Sequence, residues 1–164
     1  KCYKVTGGDL FAVSLVEDPA IESNFIAQVK EIDYLVRNEK RLLVGAALIP
    51  NKPIYRNING KEFYISFDEA TIEKLAQDFL ANDYQHNITI ETVGVDDITV
   101  VESWIKTSEN DKSVGYGLNE PIGTWFISVK VNNEAIWNKV KNGDYKGFSI
   151  EAMVGLDENL ELNN

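Results

Sequence analysis
The chain holds a single histidine, His86, so any reaction that needs an imidazole base depends on that one residue. It stands in NDYQHNITI, between Gln85 and Asn87, where a polar stretch runs into an apolar one. Taken alone, a histidine so placed is an ordinary polar residue at a loop edge. The second residue of chemical interest is Ser149, in KGFSIEAMVG. Alternation along a strand puts Gly147, Ser149 and Glu151 on one face and Phe148, Ile150 and Ala152 on the other. A strand serine is most often just a small polar residue facing water. To act as a nucleophile it needs a base within about 2.6–3.2 Å, and only the fold can bring His86 that close across the intervening chain. Gly147 beside it leaves room for a substrate or another stretch of backbone.

A carboxylate that could orient His86 is sought in the strands that follow it. If residues 88–93 and 97–106 fold back on each other around Gly94 to Asp97, then Ile88 opposes Glu102 and His86 opposes Trp104. His86 and Glu102 would then be diagonal neighbours, about 7–8 Å apart at Cα. A carboxylate in that position can fix the ring tautomer and stabilise the imidazolium. A slip of one residue would turn Glu102 to the opposite face, where it would be a solvated strand carboxylate.

Other chemistries find little support. Cys2 is the one cysteine, and with one histidine it leaves no ligand set for structural zinc. No glycine-rich phosphate loop occurs, so no cofactor is expected. Sixteen basic residues against 26 acidic ones give a net charge of −10, which repels a phosphate backbone and argues against nucleic acid as a partner. No apolar run reaches the roughly 18 residues that span a bilayer, so no membrane partner is expected. The start of the chain has no basic segment followed by an apolar one, which places the protein in a cytoplasm.

The elements that must position these residues form one domain over 1–164, an ordinary size for a single core. Residues 10–17 (LFAVSLVE) and 44–49 (VGAALI) read as buried strands closed by prolines. Residues 21–43 between them read as a mobile or helical excursion. Asn59-Gly60 within KPIYRNINGKEFYISF predicts a hairpin. DEATIEKLAQDFLAN predicts a helix behind an Asp68 cap, with Ile72, Leu75, Ala76, Phe79 and Leu80 on its apolar side. Residues 107–123 read as a surface loop, GTWFISVKVN as a strand, and NEAIWNKVKNG as a short helix stopped at Asn142-Gly143. YKGFSIEAMVG is the last strand, and 156–164 reads as a flexible tail. Mostly strands with two inserted helices predict a mainly β, α+β fold, an antiparallel barrel-like sheet flanked by helices.

Taken in order, VSLVEDPAI, GAALIPNKPIYR, His86, VVESWI, GTWFISVKV and IWNKVKNGDYKGFSIEA form a series. This series resembles the XkdF-like serine proteases of tailed phages, a branch of the prohead (capsid maturation) proteases similar in fold to herpesvirus assemblins. The resemblance spans roughly residues 11–153. It implies a serine endopeptidase with Ser149 as nucleophile and His86 as general base. For the third member, Glu102 is preferred and Glu151, on the face of the nucleophile, is second. A departure from the family pattern is Ala152, where many relatives have glycine. The implied partners are phage scaffold and major capsid proteins, with self-cleavage and a homo-oligomer both compatible. The implied location is inside the procapsid in the host cytoplasm.

Overall fold
The computed structural model describes residues 1–28, 40–90 and 93–161. The strands are β1 (Cys2–Val16), β2 (Ile26–Gln28), β3 (Leu42–Leu48), β4 (Ile54–Ile58), β5 (Lys61–Phe67), β6 (Ile88–Ile90), β7 (Val93–Gly94), β8 (Ile98–Ile105), β9 (Trp125–Val131) and β10 (Gly147–Glu161). The helices are α1 (Glu69–Ala81), α2 (Lys112–Gly115) and α3 (Glu134–Lys141). A 3-10 turn covers Tyr84–His86.

The strands make two sheets. The first runs β4-β5-β1-β6-β7, with β10 on the other edge of β1; the second runs β2-β3-β9-β8. The mainly β character agrees with expectation, but the described strands do not close into a barrel. Nor is the first sheet purely antiparallel. β1 is antiparallel to β10 from Tyr3 to Val16, but parallel to β5 near its start and to β6 at Val13 and Ser14. Because β10 occupies one edge throughout, β5 and β6 share the opposite edge. α1 makes the connection between them, as a crossover between parallel strands requires.

Local chemistry explains most elements. At the tip of the β4–β5 hairpin, Asn59 (φ 53°) and Gly60 (φ 79°) both adopt left-handed backbone, the geometry that twists two strands together correctly. The Asp68 carboxylate caps α1 by accepting from the Thr71 amide at 2.9 Å. Ile72, Leu75, Ala76 and Phe79 are buried beneath that helix, and Phe79 meets Trp125 edge-on at 5.5 Å. Leu80, counted with the apolar side in the sequence, is instead 47% exposed. α3 is capped by Asn133, buries Trp137 and Val140, and stops at Gly143 (φ 83°).

Three other expectations are revised. Of residues 21–43, Ile26–Gln28 pair with β3 and Leu42 begins β3, while 29–39 lie outside the described residues. The 107–123 loop contains α2 and sends Ser113 and Leu118 into the interior. Residues 156–161 are no tail, because β10 continues through them to pair Glu161 with Tyr3.

The core lies between the sheets. Trp125, Phe126, Phe67, Phe79 and Phe148 are fully buried, each removing roughly 2–3 kcal/mol worth of apolar surface from water. Phe148 packs on Phe25 with ring centroids 5.0 Å apart, and its ring edge lies near Gly45 of β3. That contact turns Phe148 inward, toward the second sheet, and therefore turns Ser149 to the outer face.

Candidate active site
Ser149 opens the site. Directly across β1 it pairs with Ser14, and Ser14 pairs in turn with Thr89 of β6. Three hydroxyl residues thus form one row across three strands, on the outer face of the sheet. Ser149 is half-buried in the wall of a cleft of about 620 Å³, shared with Ser14, Glu17, Lys139, Asp144, Tyr145 and Glu151. Ser14 and Thr89 are committed: their oxygens lie 2.6 Å apart, and they donate to Glu151 Oε1 at 2.7 and 2.6 Å respectively. The Ser149 hydroxyl makes no hydrogen bond to any described residue.

Gly147 provides the close approach its residue type foretold, but the visitor is the chain itself. A methyl group at Gly147 would lie 2.5 Å from Pro19 Cγ and 2.8 Å from the Ser23 carbonyl oxygen. The segment carrying Pro19 is laced to β10: the Phe25 amide donates to the Lys146 carbonyl at 2.8 Å, and the Lys146 amide to the Val16 carbonyl at 2.8 Å. Ser23 also donates to Glu120 Oε1, and the buried Lys106 donates from Nζ to the Glu120 carbonyl at 2.9 Å. The Pro19–Phe25 segment is therefore braced against the start of β10, and the loop carrying Glu120 against that segment.

His86 follows α1 on the 3-10 turn and is exposed. The next residue, Asn87, ties the turn to β1 by accepting from the Val13 amide at 3.0 Å. The imidazole Nδ1 lies 2.8 Å from Thr99 Oγ1. With the proton placed on Nδ1, which donates to Thr99, Nε2 is left as an acceptor. No hydrogen bond joins His86 to Ser149 in this structure. Their strands are separated by β1, so Thr89 and Ser149 stand about 10 Å apart at Cα, with His86 three residues before Thr89.

Glu102 does not lie where the hairpin reading put it. β6 turns back onto β7, pairing Thr89 with Gly94, whereas β8 joins the second sheet and pairs Glu102 with Ser128 of β9. Alternation in 97–106 was real, but it described a face and not a partner. The Glu102 carboxylate accepts from Ser128 Oγ at 2.7 Å, and Lys112 Nζ lies 3.3 Å from its other oxygen. The Ser128 hydroxyl, aided by Lys112, holds its pKa below the usual carboxylate range although burial opposes the shift. Lys112 in turn sits 3.9 Å above the Trp104 ring. The residue that meets the imidazole is Thr99, which no spacing argument singled out. Nor did spacing single out Ser14 and Thr89, whose signal is visible only once the strands are paired. Among the described residues, no group of three His, Cys, Asp or Glu side chains is arranged to hold a metal ion, and no helix is long and apolar enough to cross a membrane.

The mainly β fold thus carries an uncommitted strand serine in an open cleft, and the chain's one imidazole on the turn that leads into β6, beyond β1. The chain belongs to the family described as "Putative phage serine protease XkdF", whose model matches residues 28–158. That span includes Thr89, His86, Ser149 and Glu151, while β1 with Ser14 lies before it. No curated protein and no solved structure matches the chain.

Proposed function
We propose that this protein is the endopeptidase that matures a phage head, cleaving scaffold and capsid-protein segments and itself within the procapsid. The observation that carries the reading is the state of Ser149. Of the three hydroxyls in the cross-strand row, it alone is free of side-chain partners, and it stands in the cleft wall. In the reaction, Ser149 Oγ attacks a peptide carbonyl while its proton passes to Nε2 of His86. His86 then returns that proton to the leaving amine, and water releases the acyl group by the reverse sequence. The reading requires the exposed His86 to move toward β10 as a peptide fills the cleft. Confinement in a procapsid keeps enzyme and substrates at high effective concentration, so a site that is loose at rest still turns over.

The test is co-expression with the head proteins of the same phage, followed by mass spectrometry of the products. Wild-type protein should generate defined new termini, and Ser149→Ala and His86→Ala should abolish them. Cleavage that persists unchanged in Ser149→Ala would overturn the assignment and favour a structural head protein that has kept the fold without the activity.

A further inference from the structure
We propose that Glu151 is the carboxylate of the catalytic set and that Ser14 and Thr89 are its positioning residues, a proposal that rests on Ser149 and His86 acting as above. Glu151 belongs to the nucleophile strand, two residues beyond Ser149 on the same face, and lines the same cleft. Its side chain reaches back across β1. Oε1 accepts from Ser14 on β1 and from Thr89 on β6, while Oε2 accepts from no described residue. Thr89 stands three residues after His86, so the carboxylate bridges the strand of the nucleophile and β6, the strand that the turn carrying the base leads into. Glu102 does neither, since its oxygens are engaged by Ser128 of the second sheet and by Lys112 of α2.

The two hydroxyls suit a locating role. Ser14 is 7% exposed and Thr89 8% exposed, each on a hydrogen-bonded strand that removes backbone freedom. Hydroxyls this buried need partners, and each gives its one proton to the same carboxylate oxygen. The anchored oxygen fixes the carboxylate plane and leaves Oε2 for the cleft. When the Ser149 proton moves to His86, an imidazolium forms, and a negative charge held over β1, between β10 and β6, lowers the barrier without taking up the proton itself. Thr99, which is neutral, can orient the ring but cannot supply that charge.

A fluorophosphonate probe tests this on the full chain. The Ser149 oxygen forms a bond to phosphorus, fluoride leaves, and the serine proton goes to His86, so the labelling rate reads nucleophile activation directly. Glu151→Gln, Thr89→Val and Ser14→Ala should each slow labelling of Ser149 by about 10- to 100-fold, the scale expected when a catalytic group is misplaced. The loss should fall on the maximal rate and not on the half-saturating probe concentration. Thr89→Val should add little once Glu151→Gln is present, because both act through one carboxylate. Thr89→Ser should restore the rate, which a packing defect alone would not allow. Labelling of Ser149 that ignores Glu151→Gln, or independent losses in the double variant, would overturn this proposal alone. Wild-type protein that is not labelled at Ser149 would overturn the protease reading together with it.

Discussion

Replacing Gly147 with alanine adds one methyl group at the start of β10, and the surroundings set its cost. The new Cβ would stand 2.5 Å from Pro19 Cγ, 2.6 Å from Pro19 Cβ and 2.8 Å from the Ser23 carbonyl oxygen. Comfortable carbon contacts begin near 3.5 Å, so the proline ring must retreat by about 1 Å. The ring is rigid, and its segment is held by the Glu22 amide donating to the Pro19 carbonyl and by the Phe25–Lys146 bond, both 2.8 Å. β10 is held from the other side by Val16. Overpacking against such restraints costs about 1–3 kcal/mol. In a domain of this size that corresponds to a melting temperature lower by about 2–12 °C. Circular dichroism melts of Gly147→Ala measure it, with Gly94→Ala as control, since a methyl group there meets nothing within 4 Å. Labelling of Ser149 should fall together with stability, because the displaced strand carries it. A Gly147→Ala protein that melts within about 1 °C of wild type would refute the close packing of the Pro19 segment on β10.

Two further outcomes follow from charge. The Asp68 carboxyl is held at about 2, first by Lys4, 2.7 Å away, and then by Thr71. Its folded pKa lies below its ordinary value of 3.8, so its contribution is complete above about pH 4 and disappears as the pH falls toward 2. Asp68→Asn keeps a capping oxygen but loses the ion pair. It should cost about 1 kcal/mol at pH 7 after allowance for solvent screening, and only a small part of that at pH 2; urea midpoints that differ equally at both pH values would contradict this. Glu102→Gln should leave the Ser149 labelling rate within about twofold of wild type and cost under about 1 kcal/mol of stability. A tenfold loss of labelling would restore the pairing of Glu102 with His86 that the sequence suggested.

Local signals in the sequence were read correctly where one segment contains its own answer. The Asn59-Gly60 turn, the Asp68 cap and the Asn142-Gly143 stop each involve residues a few positions apart, and each forms as expected. The face of Ser149 was legible too, because Phe148 and Ile150 alternate with it. What could not be read was which strand lies beside which. Residues 88–106 carry the alternation of a hairpin, yet β6 pairs with β1 and β8 with β9, partners far away in the chain. Spacing therefore favours Glu102 over Glu151 and gives no sign of Ser14 and Thr89, which join Glu151 from two distant segments. The single parallel pairings of β1 were hidden for the same reason.

The long antiparallel ladder between β1 and β10 also sets a schedule. Its two halves, beginning at Cys2 and ending at Glu161, enclose nearly all the rest of the described chain. During synthesis β1 must wait, with one edge open, until residues 147–161 emerge, and pairings this distant in sequence close late. Ser149 and Glu151 arrive in that last strand, while Ser14, His86 and Thr89 are already in place. The hydroxyl row is therefore completed by the same event that completes the fold, and a chain that stops before residue 147 lacks the cleft wall that carries Ser149 and Glu151.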